Sequence, residues 1–577
     1  MTSTSSTRSS WIPRRIPAVG RGGMVAAKMP QAADAGLAML RKGGNAIDAA
    51  VATAFAVGVV EPPMNGTGGG GYMTVWLAKE KRSVVIDFPM ISAAAATPGM
   101  FQLAPAGKGD GFLFGWPSTI NDENVIGYRS IAVPGTVAGL ALALERYGTL
   151  TLAEVMEPAI ALAENGFPVT WQTTLHIAKD VATLARFPAT AATFLTPEGH
   201  PLKTSEQLNP TMIRQPDLAK TLRTIADQGH RAFYEGELAR TITDHLQENG
   251  SEITADDFAA YRAQEIDGIT IDYHGHQIHT VGGGTGGTSM GEALTMLNEI
   301  DAGNPGNRSA RELHMMTQIF RQAFADRFAY LADPDQIAIP QSALLDPAYA
   351  RERIATFDPE RSTTPAAGDR GRLGVSHTMP ASVPEYVKSG STTHLGTMDA
   401  EGNAVALTQT LLALWGSRVT IPGTGVLMNN GMMWFDPEPG RPNSIGRSKK
   451  PLSNMAPAII TKDGEAIASI GSSGGRRIQN CNAQIIMNIV DGGMTMQEAV
   501  DAPRIDTSTK ALAISTRFGQ PVINELAAMG HPVSPRDESL MTSDFASPVA
   551  IRRSGNVFDG GADPWYYSAT TAALDEV

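Results

Sequence analysis

Residues 390–395 of the chain read Gly-Ser-Thr-Thr-His-Leu, and residues 399–410, Asp-Ala-Glu-Gly-Asn-Ala-Val-Ala-Leu-Thr-Gln-Thr, have the pattern of a β-hairpin with a second threonine at its end. If the bond between Ser391 and Thr392 is cut, Thr392 gains a free α-amine beside its own hydroxyl. A hydroxyl is a poor nucleophile at neutral pH, and an α-amine with an ordinary pKa of about 7.7 to 8.0 can accept its proton. Thr392 therefore combines a candidate nucleophile and a candidate base in one residue.

The sequence around this stretch alternates between strand and helix patterns. The predicted strands include 72–77, 83–87, 269–278, 458–461 and 466–470, and the predicted helices include 46–60, 133–147, 152–165, 290–301, 311–331, 477–490 and 495–502. Because these elements lie on both sides of Thr392, both parts are expected to build one core. Residues 359–391, rich in Pro, Ser, Thr and Gly, predict a flexible, exposed loop, and residues 1–22 predict a disordered tail.

Composition and charge argue against several classes of partner. The net charge is -12 and no basic block follows a phosphate backbone, so nucleic acid is not an expected partner. The single Cys481 excludes an intramolecular disulfide and a cysteine-rich metal site. The 11 histidines are scattered, and no pair has metal-ligand spacing with carboxylates nearby. Neither a metal nor another cofactor is expected.

Apolar segments suggest no membrane partner. The longest apolar run, 49–60, has the length of a core helix and is too short to span a bilayer. An apolar signal core is missing between Met1 and Arg21, so a cytoplasmic location is expected. Residues 66–71 match the pattern G-x-G-x-x-G, but they precede a strand instead of opening a helix, and the dinucleotide-binding interpretation fails on that context.

Several stretches together resemble the γ-glutamyltranspeptidase family of N-terminal nucleophile hydrolases. In the family's order they are 43–50, 68–71, 133–139, 323–327, 392–394, 429–430, 451–455 and 474–475. The resemblance implies an α/β fold, a four-layer αββα sandwich in which two central sheets are covered by helices. It covers most of the chain.

The resemblance also implies an autocatalytic cut before Thr392. The products would be a large subunit, 23–391, and a small catalytic subunit, 392–577, of the same precursor. Mature Thr392 would form an acyl-enzyme, and the Thr410 hydroxyl would hydrogen-bond its amine or oxygen. The backbone N–H groups of Gly474 and Gly475 would form the oxyanion hole. Alternatively, Thr410 could only pack, the two glycines could be a simple turn, and His394 is expected to be structural although it could serve as a base.

The chain departs from the family where a γ-glutamyl group is held. An arginine expected after Asp-Phe is replaced by Pro89, and the acidic residue expected after Asn-Asn-Gln is missing from the stretch 429–435. Leu412 stands where the family usually has asparagine, and Asn454 replaces the second serine of Leu-Ser-Ser-Met. Losing a buried carboxylate contact removes roughly 2 to 5 kcal/mol of binding. The expected acyl group is therefore not a simple γ-glutamyl group.

The candidate substrate-binding residues follow from these positions. They are Ser453, Asn454, Asn430, Trp434 and Arg476. Arg476 either recognises a carboxylate, as on a dicarboxylic half-amide or an oxamate-like compound, or is a solvated arginine at a helix start. The short connection 435–451 resembles the branch without an active-site lid, similar to cephalosporin acylases and oxamate amidohydrolases.

Several functions stay open at this point. The expected substrate is a small-molecule amide or acyl compound, and the two fragments could pair further into a homodimer. The alternatives are a true γ-glutamyl hydrolase or transpeptidase with a rearranged pocket, a family member that cleaves a carbon–carbon bond, and an uncleaved relative without catalytic activity.

Overall fold

The computed structural model describes residues 13–105, 115–204, 210–376, 391–540 and 544–577. Within these ranges, two seven-stranded antiparallel sheets face each other. Sheet I has the order β1 (Val19–Gly20), β18 (Val557–Ala562), β17 (Ser547–Ser554), β13 (Glu465–Ser473), β12 (Ala458–Lys462), β9 (His276–Thr280) and β8 (Ile269–Tyr273). Sheet II has the order β19 (Thr570–Ala573), β2 (Gly23–Ala27), β10 (Ser391–Asp399), β11 (Ala404–Leu412), β3 (Gly70–Leu77), β4 (Arg82–Phe88) and β7 (Gln264–Ile266).

Two small sheets and the helices complete the described part of the chain. The small sheets pair β5 (Phe167–Pro168) with β6 (Met212–Ile213), and join β14 (Ile505–Asp506), β15 (Leu512–Ser515) and β16 (Val533–Arg536). The first group of helices is α1 (Pro30–Arg41), α2 (Ala46–Val60), α3 (Thr136–Tyr147), α4 (Leu152–Asn165), α5 (Trp171–Leu184), α6 (Pro188–Phe194), α7 (Pro216–Gln228), α8 (Gly236–Glu248) and α9 (Ala255–Ala260). The second group is α10 (Gly286–Leu297), α11 (Ala310–Tyr330), α12 (Gln341–Leu344), α13 (Pro347–Ile354), α14 (Arg370–Leu373), α15 (Ile478–Val490), α16 (Met496–Asp501) and α17 (Gln520–Ala528).

Three apolar clusters define four layers. The first group of helices packs on the outer face of sheet II through residues such as Phe55, Leu140 and Leu395. Helices α10, α11 and α15 pack on sheet I. A third cluster, which includes Met398 and Val549, lies between the sheets. The order helix, sheet, sheet, helix confirms the predicted αββα sandwich, and both sheets contain strands from each side of Thr392.

Helix α2 forms where the sequence predicts a buried helix. It begins with a capping box, in which the Asn45 side chain accepts hydrogen bonds from the backbone N–H groups of Ile47 and Asp48, and the Asp48 carboxylate accepts one from the Asn45 N–H. All but one of its residues are buried because it lies under the other helices of its layer. No helix among the described residues has both the length and the apolar character needed to cross a bilayer.

The structure corrects three sequence-based predictions. The strand predicted at 269–278 is a hairpin of β8 and β9, because His274 and Gly275 both take positive φ angles and turn the chain. The tail predicted over 1–22 ends earlier, since β1 pairs with β18 at Val19–Gly20. Within the loop predicted over 359–391, residues 370–373 form α14 and Ser391 begins β10. Residues 1–12 and 377–390 lie outside the described residues.

Gly471 marks the closest approach of the two sheets near Thr392. A Cβ atom at Gly471 of β13 would overlap the imidazole ring of His394 on β10. We expect Gly471→Ala to lower the free energy of unfolding by about 1–3 kcal/mol, because a rigid interface has to absorb the added methyl group. Urea unfolding would measure this loss beside that of Gly493→Ala, whose added Cβ meets open space and whose positive φ alone costs about 1 kcal/mol. A Gly471→Ala variant as stable as the wild type would contradict the prediction.

Candidate active site

Thr392 and Thr410 lie on neighbouring strands, and their hydroxyl groups hydrogen-bond the same atom, the carbonyl oxygen of Ser391. Strand β10 pairs with β11, and an irregularity in the register lies between Ser391 and Thr393. The Thr392 Oγ1 donates to the carbonyl oxygen of Ser391 at 2.6 Å, and the Thr410 Oγ1 donates to the same oxygen at 2.5 Å. The Thr410 Oγ1 also accepts from the Leu412 N–H at 2.8 Å. The peptide bond before Thr392 therefore has the Thr392 hydroxyl next to its carbonyl group, and the Thr410 hydroxyl polarises the same carbonyl group.

The turn that follows α2 contacts Ser391, the residue before this bond, and the neighbouring strand β11. The Ser391 Oγ donates to the carbonyl oxygen of Pro63 at 2.8 Å, and the Leu411 N–H donates to the carbonyl oxygen of Met64 at 3.0 Å. Ser391 and Thr392 are both buried, with exposed fractions of 3% and 5%. The two residues are thus fixed between β11 and residues 63–64.

Gly474 and Gly475 lie between the end of β13 and the start of α15. Their φ angles are 148° and 64°, in the region that favours glycine, and Gly475 begins a 3-10 turn that runs into α15. Because the first N–H groups of a helix have no partner within the helix, this position suits an oxyanion. The contact of Gly471 with His394 brings the end of β13 to the start of β10, so the glycines lie at the same end of the sandwich as Thr392.

His394 is held as a neutral packing residue. Its Nδ1 hydrogen-bonds the Thr408 Oγ1 at 2.8 Å. Burial, with a smaller effect from the charge of Lys28, lowers the pKa of His394 to about 3. This environment agrees with the prediction from the sequence that His394 is structural and does not serve as a base.

Ser453 and Asn454 are anchored by a buried arginine. Arg327 on α11 donates to the Ser453 carbonyl oxygen and, at 3.2 Å, to the Asn454 Oδ1. Burial is the main cause that lowers the pKa of Arg327 to about 9, and the charge of Arg476 adds to it. The Asn454 Nδ2 is buried and has no hydrogen-bond partner among the described residues. It is a donor available to a bound acyl group.

Arg476 is not a solvated residue, and the prediction of an exposed arginine at a helix start is wrong. The side chain is fully buried, its guanidinium lies 4.6 Å from the centre of the Phe328 ring, and its Nη1 donates to the Ser508 carbonyl oxygen at 3.3 Å. Arg327 contacts Ser453 and Asn454, and the guanidinium of Arg476 lies close enough to Arg327 to affect its pKa. A buried positive region of this kind attracts a carboxylate.

The Asn430 side chain hydrogen-bonds two backbone groups beside the site. Its Oδ1 accepts from the Ala413 N–H at 3.0 Å, and its Nδ2 donates to the Val125 carbonyl oxygen at 2.9 Å. The amide therefore fixes the chain just after Thr410. A contact between Asn430 and substrate stays a prediction.

Trp434 is part of an apolar cluster that we expect to border the substrate site. It lies in a 3-10 turn, Gly431–Trp434, is 2% exposed, and its carbonyl oxygen accepts from the Trp116 Nε1 at 3.2 Å. The same apolar cluster contains Leu412, Met432, Met433 and Phe435. Where the family is expected to have an arginine, the Pro89 carbonyl oxygen accepts from the Tyr261 hydroxyl at 2.6 Å.

Sequence reasoning assigned no role to Lys28, Glu61 or Arg327. The first two were visible as charges at the ends of apolar segments, Lys28 directly after β2 and Glu61 directly after α2. Arg327 lies in residues 323–327, one of the stretches that resemble the family, but no function was assigned to it. All three are buried in the structure, with exposed fractions of 0%, 4% and 0%.

Comparisons with known proteins agree with this arrangement. The family model described as Gamma-glutamyltranspeptidase matches residues 32–573. The chain is 38% identical over 563 residues to the Acylase ACY 1 proenzyme of Pseudomonas sp. (strain V22), covering 97% of this chain and 94% of that protein. It is 35% identical over 555 residues to the Glutathione hydrolase proenzyme of Bacillus subtilis (strain 168), covering 94% and 90%.

A solved structure shares the whole fold. The cephalosporin acylase from Bacillus halodurans superimposes with a TM-score of 0.84 at 27% identity, covering 100% of both chains. The family model matches almost the full length and the relatives exceed 30% identity over nearly all of their own length. This chain therefore belongs to the γ-glutamyltranspeptidase family and is an enzyme of its hydrolase and acyltransferase class.

Proposed function

We propose that the protein is a self-processing threonine amidohydrolase or acyltransferase that works through an acyl-enzyme on Thr392. The observation that carries this proposal is the convergence of two hydroxyl groups, Thr392 Oγ1 at 2.6 Å and Thr410 Oγ1 at 2.5 Å, on the carbonyl oxygen of Ser391. A nucleophile beside the carbonyl and a donor on its oxygen are the two components that acyl transfer requires.

The first reaction is cleavage of the chain itself. The Thr392 oxygen attacks the Ser391 carbonyl carbon, and the hydroxyl proton passes to the Thr392 nitrogen as the C–N bond breaks. The product is an ester between Ser391 and the Thr392 oxygen. Thr410 stabilises the negative charge that develops on the carbonyl oxygen. Water then hydrolyses the ester, which releases a carboxylate on Ser391 and a free α-amine on Thr392.

The second reaction acts on the substrate. The Thr392 amine accepts the hydroxyl proton while the oxygen attacks the substrate amide, and the same proton passes to the leaving amine. The N–H groups of Gly474 and Gly475 would receive the oxyanion. Water, or an acceptor amine, then takes the acyl group from Thr392. Both reactions need only groups of the chain, the substrate and water, and transfer also needs the acceptor amine.

The acyl group that fits best carries a distal carboxylate and no α-amine. The guanidinium groups of Arg327 and Arg476 make the region next to Ser453 and Asn454 positive. Trp434 and its cluster make the adjoining wall apolar, and the acidic residue that the family is expected to have after Asn-Asn-Gln is missing from residues 429–435. A glutaryl-type half-amide meets both conditions, and a γ-glutamyl group meets only the first.

Chromogenic anilides test this assignment. We expect glutaryl anilide to be hydrolysed at least about 10-fold faster, in kcat/KM, than γ-glutamyl anilide, because the ammonium of the latter is desolvated without a counter-charge. Arg476→Met should raise the KM for glutaryl anilide about 10-fold, since a long-range attraction at low dielectric is lost. The matched control is butyryl anilide, which has no carboxylate and should react at the same rate with both proteins. Equal effects on the two substrates would contradict the role of Arg476.

Hydrolysis of a γ-glutamyl group is the second candidate, because relatives with 32–35% identity are named glutathione hydrolases. A higher kcat/KM for the γ-glutamyl anilide than for the glutaryl anilide would favour this second candidate. The mechanism through Thr392 is common to both candidates.

A further inference from the structure

Lys28 is a buried cation between the two sheets. It directly follows β2 of sheet II, and its Nζ donates to the carbonyl oxygen of Ser547, the first residue of β17 in sheet I, at 2.5 Å, and also to the Ser547 Oγ. The Ser473 Oγ donates to the same carbonyl oxygen at 3.4 Å. Lys28 therefore lies next to the strand end that leads into Gly474.

Glu61 is a buried carboxylate on the other side of β10. It ends α2, and its carboxylate accepts from the Tyr566 hydroxyl and, at 3.3 Å, from the Asn65 Nδ2. The Thr393 hydroxyl lies close enough to lower the pKa of this carboxyl against the effect of burial, which raises it to about 7. The Lys28 Nζ lies 4.6 Å from the centre of the Tyr566 ring, so Tyr566 separates the two charges.

Both charges act on the residues that surround Thr392. Lys28 shifts the titration of Glu61 and of His394, which stands two residues after Thr392. Glu61 faces Thr393, and Pro63, two residues after Glu61, holds the Ser391 hydroxyl. The α-amine that cleavage creates on Thr392 would therefore form on the strand whose next two residues, Thr393 and His394, interact with the Glu61 carboxyl and the Lys28 ammonium.

We propose that Lys28 and Glu61 are positioning residues, a buried pair of opposite charges that balances the electrostatic field at the amino group of Thr392 and keeps that group able to accept a proton. The inference rests on the proposed function, because it needs Thr392 as the base. A base must be neutral to act, and nearby charge of either sign changes how readily it is protonated. Lys28 disfavours the protonated amine, and Glu61 favours it.

Other charged or titratable groups face this pair. Asp563 raises and Arg15 lowers the pKa of Lys28, and burial outweighs both, with a resulting pKa of about 8. Burial raises the pKa of the Cys481 thiol, and burial likewise keeps Tyr566 protonated. Near pH 7, Lys28 is therefore mostly charged, Glu61 is partly ionised and His394 is neutral, whereas well below pH 7 Glu61 is mostly protonated.

The test is the acid limb of kcat/KM against pH for processed, purified enzyme. Removing the positive charge in Lys28→Met should move the midpoint of the limb up by about half a pH unit or more, because the protonated amine becomes more stable. Removing the negative charge in Glu61→Gln should move the midpoint down by a smaller amount, because Glu61 is only partly ionised near pH 7. The control Lys28→Arg keeps the charge and should keep the wild-type midpoint even if its turnover is lower. A purely structural role would change turnover without separating the midpoints.

The expected order of midpoints is Glu61→Gln, wild type, Lys28→Met, and any other order overturns the inference. If a single variant does not fold, the double variant, which leaves neither charge buried alone, should be recovered with a midpoint near that of the wild type. Failure to recover the double variant would also overturn the inference. Wild type that is not cut before Thr392, or an active Thr392→Ala, would instead overturn the proposed function, so the two failures are distinguishable.

Discussion

The Thr392→Ala variant is expected to stay a single chain and to lose at least roughly 10³-fold in turnover of every amide tested. Alanine has no oxygen to attack the Ser391 carbonyl, so neither the peptide ester nor the acyl-enzyme can form. Denaturing electrophoresis measures the first effect, and anilide hydrolysis measures the second. The wild type should show two fragments, the smaller of which begins at Thr392 by mass spectrometry.

The matched control is Thr392→Ser, which keeps the hydroxyl and loses the β-branch that restricts χ1. It should still be cleaved and should retain measurable turnover at a reduced rate. A cleaved Thr392→Ala, full activity of that variant, or a small fragment that begins at another residue would contradict the mechanism. An intact and inactive wild type would favour the alternative of a relative without catalytic activity.

The Gly474→Ala variant is expected to lose roughly 10²- to 10³-fold in kcat while its chain is still cleaved. The φ angle of Gly474 is 148°, which alanine avoids, and an added Cβ would lie 2.8 Å from the Cα of Ala546. The backbone must therefore shift, and the N–H groups that we propose to bind the substrate oxyanion move with it. Self-cleavage is affected less because Thr410 donates to the Ser391 carbonyl oxygen.

Gly493→Ala is the control for the backbone effect alone. Gly493 has a φ angle of 61°, and its added Cβ would meet nothing within 4 Å. This variant should lose about 1 kcal/mol of stability and no turnover. Steady-state kinetics and thermal unfolding of both variants separate the two effects. Equal kcat values for Gly474→Ala and wild type would remove Gly474 from the oxyanion hole.

Local sequence patterns predicted much of the fold because the signals are local. Helix α2 was predicted as residues 46–60, which are its observed bounds, because an apolar run fills it, and in the structure Asn45 caps its start. The hairpin after Asp399 was predicted from its turn residues, and the strands predicted at 458–461 and 466–470 pair with each other as β12 and β13. The hairpin at His274 and Gly275 was missed, since a histidine with positive φ is not an obvious turn residue.

The site was predictable only in part. The positions of Thr392 and Thr410 followed from a strand pattern and from family resemblance, and the structure brings their hydroxyl groups together. The burial of Arg476 was not predictable, because nothing in its own segment shows that Phe328, on another helix, covers it. The sequence also did not show which atoms of Asn454 are satisfied by Arg327.

The sequence by itself determined where the chain offers a hydroxyl beside a potential amine, where many of the helices and strands form, and that proline stands at position 89, where the family it resembles has an arginine. Only the tertiary structure decided which charges are buried and what they face. Lys28 meets Ser547 across 519 positions of sequence, and Tyr566 meets Glu61 across 505. The physical reason is distance along the chain: turn, cap and side-chain preferences act between residues close in sequence, whereas long-range hydrogen bonds, desolvation and Coulomb interactions depend on what packing brings together.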